Sequence, residues 1–287
     1  MDKMKILILF TKYKGGVGSV VKNIQKELEK KGHKVDAISR DDDLKMSFWK
    51  SLPKLRKLVK KRAEKYDIIY TQDWSIAFPL LYPFEIAREK HFCCFHGIQP
   101  GKARILQRKV GEKLGNKLIV VGDGLKKMFP KARLNYNGVD IKKFKPKKVK
   151  KIKNSVGFVN WQTSDYNFKK IKRAVEKTGK RFVIAEDIPL EKMPDFYSKL
   201  DIFISLPPFC TGFNMSWIEA MACGVKKIIG NNAGIGNKLP IEKIEAYKGN
   251  ISESLTKVKG RDYRKWVEKS NFTLDKYVEN LLKIWKK

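Results

Sequence analysis

Along the chain, short β-branched runs alternate with stretches whose apolar residues recur at helical spacing, and this alternation persists from end to end. In the first half, apolar runs predict strands at Lys5–Phe10, Lys34–Ile38, Asp67–Thr71, His91–Phe95 and Lys117–Val121. Helical spacing predicts intervening helices such as Ser19–Lys31 and Pro53–Lys65. Alternation of this kind is the mark of parallel βαβ units in an α/β fold. From Lys142 to Lys153 the chain is almost all lysine around Phe144, Pro146, Val149 and Ile152, which reads as an exposed linker. The pattern then restarts, with strands at Val156–Val159, Arg181–Ala185, Asp201–Ser205 and Lys226–Ile229, and helices near Phe168–Lys177, Met215–Cys223 and Leu274–Trp285. No internal repeat is present. The expectation is two Rossmann-like, doubly wound parallel-sheet domains, residues 1–145 and 146–287, with the last helix free to pack back on the first. Facing sheets of this kind bind ligands in a cleft at the carboxyl ends of their strands.

Composition narrows the classes. A chain of 287 residues is long enough for two α/β cores. Cys93, Cys94, Cys210 and Cys223 form no C-x-x-C spacing and read as reduced core residues of a cytoplasmic protein. No apolar run approaches the length of a membrane span, and none resembles a secretion signal. The formal net charge of +33 draws polyanions: nucleotide phosphates, lipid phosphates, an acidic membrane face or nucleic acid. Charge does not choose among them, although nucleic acid is not an expected partner here, and a lysine-rich surface is also common in heat-adapted proteins.

Four segments carry chemistry. Gly15-Gly16-Val17-Gly18-Ser19 follows a strand and opens a helix, where bare amides can approach a phosphate or sugar oxygen; a plain tight turn is the alternative. It is not a dinucleotide fingerprint, because the third glycine of G-x-G-x-x-G falls on Val21. His96, directly after the apolar run ending at Phe95, suits a hydrogen bond to a sugar or a developing charge, or else a satisfied structural role. Asn135 to Asp140 reads as a cleft-lining hinge or as an Asn-Gly turn with Asp140 as a cap. In Thr211 to Gly224, a glycine-containing loop leads into a short helix whose amide end suits a diphosphate, with Glu219 one turn in to accept from ribose hydroxyls; a buried helix with one satisfied Glu is the equal alternative from the residues alone.

With these residues in view, the chain resembles the large family of retaining nucleotide-sugar glycosyltransferases that includes sucrose synthase and many bacterial and archaeal mannosyl- and glucosyltransferases. The markers are Gly15-Gly16-Val17, His96-Gly97, Asn137-Gly138-Val139-Asp140, Met193 to Tyr197, and above all Gly212 to Gly224. The resemblance implies the double-Rossmann (GT-B) fold and transfer with retention to a hydroxyl acceptor, with no cofactor. That no metal is needed is expected because Gly15–Ser19 and Gly212–Ser216 offer amides and helix ends where metal-dependent transferases cluster carboxylates. It places His96, Gly212, Phe213 and Asn214 at the reacting sugar. It places Gly15, Gly16, Val17, Asn160, Lys169, Thr211, Met215, Ser216 and Glu219 on the donor. The chain departs from the family where an acid commonly precedes Glu219 by eight positions, here Thr211, and where an Arg and a Lys commonly follow the first strand of the second domain, here near Asn160 and Tyr166. Lys169 or Lys170 stands nearby, either as a substitute or as a solvated helix charge.

Asp41-Asp42-Asp43 superficially suggests a metal-binding D-x-D but has no further ligands beside it, and reads as a solvated acidic loop. Phe48, Trp49, Leu52, Leu55 and Leu58–Val59 alternate with seven basic residues between Lys50 and Arg62. That is either a basic amphipathic helix lying on an anionic membrane, with a lipid-linked acceptor, or an ordinary sheet-covering helix. The rival readings are a non-catalytic homologue that binds polyanions or regulates a partner, and a nicotinamide enzyme, which the broken glycine fingerprint disfavours.

Overall fold

The computed structural model describes residues 3–159, 166–208, 212–244 and 249–286. The chain forms two compact units, Met1–Asn137 with Leu274–Lys287, and Gly138–Thr273. The first contains β1 (Lys5–Phe10), α1 (Gly16–Lys30), β2 (Lys34–Ser39), α2 (Phe48–Arg62), β3 (Ile68–Gln72) and α3 (Trp74–Leu81), then β4 (His91–Phe95), α4 (Gly101–Leu114), β5 (Leu118–Val120), α5 (Asp123–Met128) and β6 (Arg133–Leu134). The second contains β7 (Ser155–Val159), α6 (Tyr166–Lys177), β8 (Arg181–Ala185), α7 (Met193–Ser198), β9 (Ile202–Ile204), α8 (Met215–Ala222), β10 (Lys227–Gly230), β11 (Glu242–Lys243), α9 (Ile251–Lys257) and α10 (Tyr263–Lys269). The last helix, α11 (Leu274–Trp285), belongs to the first unit.

Each unit is built on one all-parallel sheet, ordered β2-β1-β3-β4-β5-β6 in the first and β11-β10-β9-β7-β8 in the second. Strand order reverses between β1 and β3 in one sheet and between β7 and β9 in the other. In open α/β sheets the loops leaving the carboxyl ends of such strands hold ligands. Those loops are Thr11–Gly15 and the turn at Asp73 in the first unit and, among the described residues of the second, 205–208 and 212–214.

The helices cover the sheets as their spacing dictates. Leu55 and Val59 of α2, and Ile76 and Leu80 of α3, pack on Leu7, Leu9 and Ile69 of the strands. In the second unit Ile171, Ala174 and Val175 of α6 pack on Val156, Ile202 and Ile204. α11 buries Tyr277, Val278, Leu281, Leu282 and Trp285, one stripe at helical spacing. The Tyr277 hydroxyl meets that of Tyr70 at 3.1 Å, and its carbonyl accepts from Asn135 at 3.1 Å.

Two readings of the sequence change here. The lysine-rich stretch is not a linker: Phe144 is buried against Tyr197, and the Lys147 and Ile152 amides donate to Ser198 and to the Lys199 carbonyl. An aromatic residue and a few backbone bonds anchor it, while Lys142, Lys145, Lys148, Lys150 and Lys153 are exposed. The Asp41–Asp43 run is not a free acidic loop either. Asp42 accepts from the Tyr13 amide and the Ser39 hydroxyl, and Asp43 accepts from the Ser39 amide and the Tyr13 hydroxyl. Its carboxylates therefore tie down the segment that leads into the glycine loop.

Candidate functional site

In the second unit, β9 ends at Ile204 and the chain returns as Gly212, Phe213 and Asn214 before α8. Gly212 and Phe213 are buried, the Phe213 ring lying 5.9 Å from that of Phe272. Asn214 is the N-cap. Its Oδ1 accepts from the Ser216 amide at 3.2 Å and hydroxyl at 2.7 Å, while its Nδ2 donates to Ser205 at 2.9 Å. The start of α8 is thereby fixed to the end of β9, with Met215 and Ser216 in its first turn. Trp217, fully buried, donates from its indole to the Ser205 carbonyl at 3.1 Å and locks the same corner.

Glu219 sits one turn into α8. The Tyr197 hydroxyl donates to its Oε2 at 2.8 Å, and Oε1 takes no hydrogen bond among the described residues. Burial pushes the carboxyl up to about 7, against the pull of the Tyr197 bond and Lys143. One oriented, unengaged oxygen at the end of a tethered side chain suits a hydroxyl donor such as a ribose. Lys169 is exposed in the first turn of α6, after β7. Asn160 and Thr211 lie outside the described residues.

In the first unit the glycine loop separates into distinct roles. Gly15 has φ +101°, and a Cβ on Gly18 would lie 2.2 Å from the Tyr13 carbonyl oxygen, so both are required by the turn itself. Gly16 has ordinary φ and open space around its Cβ position, so the fold gives no reason for glycine there. Val17 follows it in the first turn of α1.

His96 lies just past β4, its Nε2 2.7 Å from Gln72 Oε1 at the end of β3. Burial pushes the imidazole down to about 4, so it is neutral near pH 7. With Gln72 Oε1 as acceptor, Nε2 carries the proton and Nδ1 is left to accept. The structure adds a residue that sequence reasoning missed. Asp73 follows Gln72 with φ +82°, a conformation that costs a non-glycine residue on the order of 1–3 kcal/mol. Its Oδ1 accepts from the Trp74 amide at 2.7 Å, and burial raises the carboxyl to about 6. A strained, partly buried acid at the strand-order reversal, next in sequence to the partner of His96, is where a functional group is expected. The readable signal was an acid at the junction of an apolar strand and an apolar helix.

The hinge candidates resolve towards structure. Asp140 Oδ1 accepts from the Lys142 and Lys143 amides as a cap, and Asn135 is held by Tyr277. Among the described residues no group of His, Cys, Asp and Glu is placed to hold a metal ion. Cys93, Cys94 and Cys223 are free and buried, and Cys210 lies outside the described residues.

Two parallel Rossmann-like sheets, each with loops gathered at its strand-order reversal, define the double-Rossmann (GT-B) fold of glycosyltransferases. Among solved structures the chain is similar to sucrose-phosphate synthase from Thermosynechococcus elongatus, with a TM-score of 0.71 and 15% identity over 98% of each chain. It is similar also to the catalytic domain of starch synthase IV from Arabidopsis thaliana bound to ADP and acarbose, with a TM-score of 0.69 and 13% identity over 99% of each chain. A third is HepE from Anabaena in complex with UDP and glucose, with a TM-score of 0.64 and 14% identity over 99% of each chain. At these identities the likeness establishes the fold. No protein-family model matches the sequence, and no curated protein matches it.

Proposed function

We propose that the chain is a glycosyltransferase that moves a sugar from a nucleotide-sugar donor to a hydroxyl acceptor, without a metal ion and with retention of configuration. The observation that carries this reading is Glu219: a carboxylate tethered by Tyr197 through one oxygen, with the other unengaged, one turn behind an amide-lined helix start at a strand-order reversal. The helix start suits the diphosphate and Glu219 the ribose. Solved structures of the same fold hold UDP with glucose, and ADP with acarbose. In the first unit, neutral His96 offers Nδ1 to a sugar hydroxyl, and Asp73 offers a carboxylate oxygen to the acceptor hydroxyl. Amides and helix ends take the place a cation would fill on the departing diphosphate. Retention rests on the family resemblance alone. The acceptor we favour is lipid-linked, and the buried free thiols fit a cytoplasmic setting.

The test is a calorimetric titration against a panel of nucleotide-sugars, followed by isotope transfer in excess chelator and proton NMR of the new glycosidic bond. Binding of one donor, chelator-resistant transfer and a retained anomeric coupling are expected. Donor binding without transfer would leave a non-catalytic homologue; activity lost to chelator and restored by magnesium or manganese would overturn the metal-free site.

A further inference from the structure

The first unit carries a surface that lies outside the residues assigned above to donor and acceptor. The apolar stripe of α2 is spent on the core, Leu55 and Val59 being buried, so it cannot be what meets a membrane. What remains outward is different. Trp49 is 71% exposed at the start of α2, and Lys50, Lys54, Lys57, Lys60 and Lys61 follow on the solvent side. The helix contains no acid, and none of these lysines pairs with a carboxylate among the described residues. Lys50 and Lys54, like Lys57 and Lys61, are like charges one turn apart, an arrangement that weakens a helix unless an anion lies against it.

The neighbouring elements extend this face. α2, α3 and α4 pack side by side. After α3, the Arg56 guanidinium donates to the carbonyls of Pro79, Tyr82 and Phe84 at 3.0, 3.0 and 2.7 Å, and Lys113 of α4 lies 3.6 Å from Glu85. That pinned loop holds Phe84 outward, 76% exposed, and Ile105 of α4 is 60% exposed. Among the described residues, Trp49, Phe84 and Ile105 are the exposed large hydrophobic side chains, and all three belong to this one layer. The face also adjoins the candidate site: the Trp49 ring packs edge-on to Phe48, whose ring lies 5.5 Å from that of Trp74, the residue after Asp73.

We propose that this α2–α3–α4 face docks on an anionic lipid bilayer, lysines on the headgroup phosphates and Trp49 and Phe84 in the interfacial layer. Lysines with interspersed aromatic and aliphatic side chains match a bilayer surface, where each basic group near anionic lipid strengthens attachment and apolar side chains add insertion. An aliphatic Ile105 on the face favours lipid over nucleic acid. No described helix is long and apolar enough to cross a membrane, so attachment is to the surface. The inference deepens the lipid-linked acceptor of the proposed function by delivering the acceptor beside Asp73.

The experiment is flotation of the full chain with phosphatidylcholine vesicles, with and without about one third phosphatidylglycerol, and with brominated lipids as a quencher. Binding to anionic vesicles only is expected, falling at least tenfold in K50E/K54E/K57E, while K226E/K227E/K243E on the second unit makes the same change in net charge and binds as wild type. Brominated lipid is expected to quench wild-type tryptophan fluorescence and to quench Trp49→Phe measurably less. Equal binding to neutral vesicles, equal loss in both charge-reversal variants, or unchanged quenching in Trp49→Phe would each overturn the proposal. So would single-stranded DNA binding the face in place of vesicles. Thermal unfolding confirms that each variant is folded, and Lys→Gln versions replace any that is not. Donor titration without vesicles is read separately, so failure of the transferase reading and failure of docking are distinguishable.

Discussion

The Tyr197 hydroxyl donates to Glu219 Oε2 at 2.8 Å, joining α7 to α8 and leaving Glu219 Oε1 unengaged. Tyr197 is itself fully buried, so the bond presents the carboxylate in one orientation. If Oε1 accepts from a ribose, Glu219→Ala weakens donor binding by roughly 1.5–3 kcal/mol, the scale for hydrogen bonds to a charged group. Tyr197→Phe is expected to cost less, about 0.5–1.5 kcal/mol, because the acid survives and only its orientation loosens. Calorimetry on both folded variants checks the order; equal affinities in all three proteins would remove Glu219 from the site.

The same carboxyl makes stability depend on pH. Burial raises it from 4.5 to about 7, so the folded state holds that proton more tightly than the unfolded chain does. This contribution is fully present below pH 4.5 and is lost as pH rises through about 7. Glu219→Gln cannot ionise and keeps it. Relative to wild type, the variant is expected to gain roughly 1–3 kcal/mol between about pH 5 and pH 8. His96 acts in the opposite sense: its imidazole, lowered from 6.5 to about 4, gives stability present above pH 6.5 and lost as pH falls towards 4. Denaturant titrations of each variant against wild type at several pH values separate the two.

Gly16 and Gly18 are expected to respond in opposite ways. A Cβ on Gly18 strikes the Tyr13 carbonyl at 2.2 Å, so Gly18→Ala should cost about 1–3 kcal/mol of stability. Gly16→Ala meets nothing within 4 Å and should leave stability unchanged. If donor oxygens approach the loop, however, Gly16→Ala weakens donor binding. Thermal unfolding paired with donor titration reads both, and unaltered affinity in Gly16→Ala would make the loop a structural turn only.

Asp73→Asn is expected to leave donor affinity intact and to slow transfer by at least about tenfold, with His96→Ala slowing it comparably. A carboxamide keeps the bond from the Trp74 amide while losing the anionic oxygen, so the fold at α3 should hold. Initial rates at saturating donor measure this; wild-type rates in Asp73→Asn would leave its strained backbone without a catalytic use.

By itself the sequence determined the alternation of strand and helix, and with it the two parallel sheets. β1, β4, β8 and α11 fall where apolar spacing puts them, because period 2 and period 3.6 are local properties of the chain. α3 was not legible, since Trp74 to Leu81 is almost wholly apolar, contains Pro79 and has no polar face to set a period. Tertiary structure alone decided which charged groups are bound and which are free. Asp42 and Asp43 look solvated until the Tyr13 segment folds beside them, and the lysine-rich stretch looks like a linker until Phe144 meets Tyr197. The apolar stripe of α2 fits a membrane or a sheet equally well, and only contact with Leu7, Leu9 and Ile69 settles that it covers the sheet. Strand order, and so the reversal that brings Asp73 beside the glycine-loop strand, is a choice among pairings distant in sequence, which no local pattern encodes.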